Sequence, residues 1–126
     1  RGIAENQAHA LILYRRAAAL GHAKSMNLLG RYLEEGRHCP QDSLAARDWY
    51  RRAAEGGDFR GQFSHAAILA DDGQIDDALV WLRKALAGGN ANFLRVAGES
   101  LMNAPHLRIR AMADAYQRRL SQLMAS

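Results

Sequence analysis

Two pairs of neighbouring carboxylates, Asp71-Asp72 and Asp76-Asp77, come closest in this chain to a pattern for acid–base chemistry. They flank a helix start expected at Gln74-Ile75, where acids are favoured by the helix macrodipole without any reaction. His38 and Cys39 are the residue types that bind zinc, but they are adjacent in a loop and no second pair follows at ligand spacing. The other histidines, His9, His22, His65 and His106, are scattered, and His65 is expected in a partly buried slot. Gly56-Gly57 and Gly88-Gly89 read as helix stops rather than a phosphate-cradling loop. No serine, histidine and acid fall into a catalytic arrangement by position. The chemistry-bearing residues therefore predict no enzyme, no metal and no cofactor.

The basic residues are more regular. Tyr14-Arg15-Arg16-Ala17-Ala18 is followed by Tyr50-Arg51-Arg52-Ala53-Ala54 at an offset of 36 residues, and by Leu82-Arg83-Lys84-Ala85-Leu86 after a further 32. A period of this size signals a stack of similar supersecondary units whose task is surface recognition. The basic pairs themselves are expected in the last turns of their helices, where cations oppose the macrodipole. The net charge of +4 lies mostly at the ends. Residues 1–21 carry +2, residues 22–105 carry −1, and residues 106–126 carry +3 (Arg108, Arg110, Arg118 and Arg119 against Asp114). A nucleic-acid binder should show a basic stripe along one face. Here only the last helix offers one, so nucleic acid is an unfavoured partner.

At 126 residues, 48% apolar and 24% charged, the chain is large enough to bury a core as one soluble domain. No run reaches the length of a membrane span and no secretory leader opens the chain. The opening Arg1-Gly2-Ile3 reads as an internal start, so an upstream segment is expected. A single cysteine, Cys39, excludes an internal disulfide, fits a reducing compartment and is expected to be a small buried side chain.

Seven helices are expected, over about 3–20, 22–35, 42–55, 58–70, 74–87, 90–102 and 106–124. The stops are Gly21, Gly36, Gly56-Gly57, the Asp72-Gly73 turn and Gly88-Gly89. The N-caps are Asp42 or Ser43, Asp58 and Asn90, and Pro105 is expected in a first turn. Short links containing glycine make successive helices antiparallel. Ala46, Trp49 and Ala53 share one face, as do Ala78, Trp81, Leu82 and Ala85. The last helix places Ile109, Met112, Tyr116, Leu120 and Leu123 on one side and Arg108, Arg118 and Arg119 on the other, the pattern of a terminal cap.

Residues 21–57 place Ser25, Leu29-Gly30, Leu33 and Gly36 in one helix and Ala46, Trp49-Tyr50, Ala53-Ala54 and Gly57 in the next. This closely resembles the Sel1-like repeat, a relative of the tetratricopeptide repeat. Leu33 departs from the family's tyrosine slot, and His38-Cys39 from its Gly-Val loop. The resemblance extends over about residues 8–104 and implies a right-handed all-α solenoid of antiparallel helix pairs. Its units are the second helix of a partial repeat (1–21), a full repeat (22–57), a degenerate repeat with a shorter loop (58–89), a half repeat (90–104) and a capping helix (105–126).

The resemblance further implies a non-enzymatic, cytoplasmic interaction module, with a bacterial setting preferred, that binds a protein or acidic peptide. Transferring the tetratricopeptide groove positions by period gives Lys24, Asn27, Arg31 and Glu34, then Arg60, Phe63 and Ala67, then Asn92, Arg95 and Glu99. The basic and amide groups would hold partner carboxylates and Phe63 would be an exposed apolar anchor. The alternatives are an assembly subunit that self-associates or supports an enzyme, and weak nucleic-acid contact through Arg108, Arg110, Arg118 and Arg119.

Overall fold

The computed structural model describes residues 2–125, with Ile3 and Ala4 described in their backbone only. Seven α-helices follow in order: α1 (Ile3–Ala19), α2 (Ala23–Glu35), α3 (Ser43–Glu55), α4 (Phe59–Asp71), α5 (Ile75–Gly88), α6 (Ala91–Met102) and α7 (Leu107–Ala125). The described residues contain no strand. The fold is all-α, built from sequential antiparallel helices.

Four of the helices stop in the same way. Gly21, Gly36, Gly57 and Gly73 all take positive φ, between +68° and +92°. In each case the next residue's N–H reaches back to the carbonyl five residues earlier: His22 to Ala17, Arg37 to Tyr32, Asp58 to Ala53 and Gln74 to Leu69, at 2.8 to 3.1 Å. This is the Schellman closure, and it uses the backbone region that glycine enters without a Cβ penalty. The expected stop at Gly88-Gly89 differs. Gly88 remains in α5, and Gly89 is extended, with φ −73°. A Cβ at Gly89 would run into the Phe93 ring, so close packing rather than a left-handed turn explains the glycine.

Side-chain caps start α3, α4 and α6, whereas α1, α2 and α5 have none. The carboxylate of Asp42 accepts from Ala45 N at 3.0 Å, that of Asp58 from Gly61 N at 2.8 Å, and the Asn90 amide oxygen from Phe93 N at 2.9 Å. Each satisfies one of the otherwise orphaned first-turn donors. His106 takes this role for α7: its Nδ1 accepts from Arg108 N at 3.1 Å. Pro105 therefore lies in the bend before α7 instead of in its first turn.

The chain divides into two compact units, Arg1–Gly61 and Gln62–Ser126. In the first, α2 packs against both α1 and α3. Leu11, Leu29, Tyr32, Leu33 and Tyr50 form its core, and Ala46, Ala53 and Ala54, almost wholly buried, let the backbones approach closely. Tyr14 meets Tyr32 edge-on at 5.8 Å between ring centres. In the second unit, α7 lies on α6 and α5. Its Tyr116 is fully buried, donates to the Leu82 carbonyl at 2.7 Å and lies among Phe63 and Phe93. His65 and Trp81 join α4 to α5 edge-on at 5.3 Å, which accounts for the half-buried histidine.

Candidate partner-binding surface

Three of the six residues in the repeated basic pairs, Arg51, Arg52 and Lys84, are engaged within their own helices. Arg51 bridges Asp48 and Glu55, at 2.5 and 3.1 Å. Arg52 meets Asp48 at 3.0 Å and lies over Trp49 at 4.9 Å from the ring centre. Lys84 lies over Trp81 at 4.4 Å. Arg16 and Arg52 are in last turns as expected, but α5 has no basic residue in its last turn. Because α5 continues to Gly88, Arg83 and Lys84 are set back from the carbonyl end, and the macrodipole does not account for them.

The predicted groove residues divide between the two units. In the first, Lys24 and Arg31 are exposed and make no hydrogen bond or ion pair among the described residues. Glu34 accepts the Tyr50 hydroxyl at 2.8 Å. Desolvation and this carboxylate hold the Tyr50 pKa far above the usual tyrosine range. Arg60 is half-buried over the Phe59 ring at 4.7 Å. Asn27 is buried, with 3% exposure, and cannot meet a partner at the surface. The reason is that α2 is flanked by helices on both sides, so its solvent strip is narrower than one-sided packing would leave.

In the second unit, the Asn92 amide oxygen accepts from Arg95 at 2.8 Å, and Arg95 faces Glu99 at 3.9 Å, a solvated set along one helix face. Phe63 is half-buried, edge-on to Phe93 at 5.8 Å, so it is part of the aromatic core and not an exposed anchor. The expected basic face of the last helix is also broken up. Arg108 pairs with Asp76 at 2.8 Å, and Arg110 donates to the Ala104 carbonyl at 3.1 Å.

Cys39 is half-buried, and its thiol points at the Tyr32 carbonyl at 3.6 Å. His38 sits opposite Gln7 Oε1 at 3.2 Å. Among the described residues, no three histidine, cysteine, aspartate or glutamate side chains are grouped to hold a metal ion.

A cleft of about 350 Å³ opens within the second unit. Phe63, Ala66, Ala67 and Ala70 supply one wall from a single face of α4, with Asp71 at its end. The other walls are Leu82, Ser100-Leu101, the turn from Asn103 to His106, and Ile109. The alanines leave the space, since each occupies a position where a larger side chain would fill it. Because His106 Nδ1 accepts a backbone N–H, the neutral ring carries its proton on Nε2. The chemistry offered is an apolar pocket with a carboxylate at one edge and an imidazole donor beside it. The volume suits one or two apolar side chains.

The family model for the Sel1 repeat matches residues 1–22, 23–58 and 70–90, more than half of the chain. The chain belongs to the Sel1 repeat family. No curated protein and no solved structure matches it. Sel1 repeats are generally protein-interaction modules and typically non-catalytic scaffolds. In this Sel1 repeat protein, the middle match covers α2 and α3, and the last covers α5 with the end of α4. Residues 59–69 and everything after residue 90 lie outside the matches, so most of the cleft falls on segments the family pattern does not describe. Transfer of groove positions reached Phe63 and Ala67. It missed Asp71, His106 and the turn between α6 and α7, which no repeat slot encodes. No helix among the described residues is long and apolar enough to cross a membrane.

Proposed function

We propose that this chain is a non-enzymatic protein-interaction module that takes an apolar side chain of a partner polypeptide into the cleft beside α4. The observation that carries this reading is the cleft itself: an open apolar space walled by Phe63, Ala67, Leu101 and Ile109 on rigid helices. Preformed walls lose little ordering entropy on binding, so a small contact suffices. Asp71 at the edge favours a basic or amide group next to the inserted side chain. Membership of the Sel1 repeat family supports a protein partner in general terms.

Ala67 is exposed and lines the cleft, so Ala67→Trp fills the space without disturbing the core. Selection of binders from a random peptide display library should enrich an apolar residue at one fixed position. The selected peptides should bind Ala67→Trp at least about tenfold more weakly, a difference of about 1.4 kcal/mol. Peptides that bind both proteins equally, or a library with no enrichment, would remove this assignment.

A further inference from the structure

We propose that α5 and α7 form a second, separate docking groove, for a segment of a partner polypeptide rich in carboxylates. The groove has a volume of about 370 Å³ and lies between the C-terminal half of α5 and the middle of α7. Arg83, Arg118 and Arg119 converge on it over a floor that includes Leu86, Ala87 and Ala115, and no acidic side chain lines it. All three arginines are exposed, and none makes a hydrogen bond or ion pair among the described residues. Nearby cations are engaged: Arg108 with Asp76, Arg110 with a carbonyl, Arg95 with Asn92 and Lys84 with Trp81. Three like charges facing one groove repel one another, and an incoming anion relieves that repulsion. Guanidinium groups match carboxylates in a two-point, planar geometry.

Two observations favour a polypeptide over a nucleic acid. The floor at Leu86, Ala87 and Ala115 is apolar and suits a side chain between acidic residues. A neighbouring depression on α7 is lined by Asp114 together with Arg118, which places a carboxylate in the path of a phosphate chain running along the helix. This groove shares no lining residue with the cleft beside α4, so the two assignments stand or fall separately.

The test is fluorescence anisotropy at low salt with a labelled peptide alternating leucine and glutamate. The proteins are the unaltered chain, Arg83→Glu, Arg119→Glu, and Arg15→Glu as an exposed basic control. Binding should weaken about tenfold in each groove variant and stay unchanged in Arg15→Glu. Replacing every glutamate of the peptide by glutamine should abolish it. Circular dichroism checks the fold, and Arg83→Gln, expected to lose about half of the effect on a logarithmic scale, replaces Arg83→Glu if that variant unfolds. No detectable binding, or equal weakening in Arg15→Glu, overturns the proposal. So does a single-stranded oligonucleotide that displaces the peptide and loses affinity in the same variants.

Discussion

Tyr116 ties three helices of the second unit to one side chain. Its ring is fully buried between Phe63 on α4 and Phe93 on α6, and its hydroxyl donates to the Leu82 carbonyl of α5 at 2.7 Å. Burial raises its pKa well above the ordinary tyrosine value. Tyr50 in the first unit is raised by desolvation and by its bond to Glu34. A raised pKa means the folded chain keeps protons that the unfolded chain releases near pH 10. Stability from these two groups is therefore whole below about pH 10 and falls as pH climbs above it. Tyr116→Phe removes one hydrogen bond and should cost about 1 kcal/mol at pH 7 in urea denaturation. Because phenylalanine cannot ionise, the variant should lose stability less steeply than the unaltered chain above pH 10. An identical slope would mean that Tyr116 has no part in the alkaline loss.

At the scale of the element, the α2–α3 contact depends on a missing Cβ. A Cβ at Gly30 would lie 2.7 Å from Cε1 of Tyr50 and 3.3 Å from the Ala46 carbonyl. Gly30→Ala gains about 1 kcal/mol in helix propensity, but over-packing costs about 1 to 3 kcal/mol. Displacing the ring also pulls its hydroxyl from Glu34, so the balance is a net loss. Thermal denaturation should show a melting temperature lowered by several degrees, and an unchanged or raised value would refute the close-approach argument. The close approach of Gly30 to the Tyr50 ring was not read in the sequence, but the repeat slots of Leu29-Gly30 and Trp49-Tyr50 were legible there. The caps at Asp42, Asp58 and Asn90 were equally readable, since each is a local bond between a side chain and its own first turn. Gly88-Gly89 misled because two glycines look alike whether they permit a left-handed turn or make room for Phe93. Asn27 misled because helical period shows which face is polar, not how many neighbours cover it.

Over the whole molecule, the spacing of the repeated phrase located the helices, while the candidate surfaces depend on what lies between and beyond them. The cleft takes a wall from the turn 103–106, and the arginine groove draws on helices separated by the whole of α6. Neither juxtaposition has a signature in local sequence. Total charge is no guide for the same reason: +4 says nothing about which arginines already have a carboxylate or carbonyl beside them. The division into two compact units, each with its own buried set, has an energetic consequence. In repeat architectures a unit draws its stability from itself and its immediate neighbours, so damage stays close to where it is made. Hydrogen exchange followed by mass spectrometry should then show Gly30→Ala speeding exchange in α1, α2 and α3. Peptides from α6 and α7 should keep their protection to within about threefold, or about 0.6 kcal/mol. Tyr116→Phe should give the reverse pattern, with α5, α6 and α7 losing protection first. If either substitution accelerated all seven helices equally, the chain would open as one cooperative body, and the two buried sets would have to be counted as a single core.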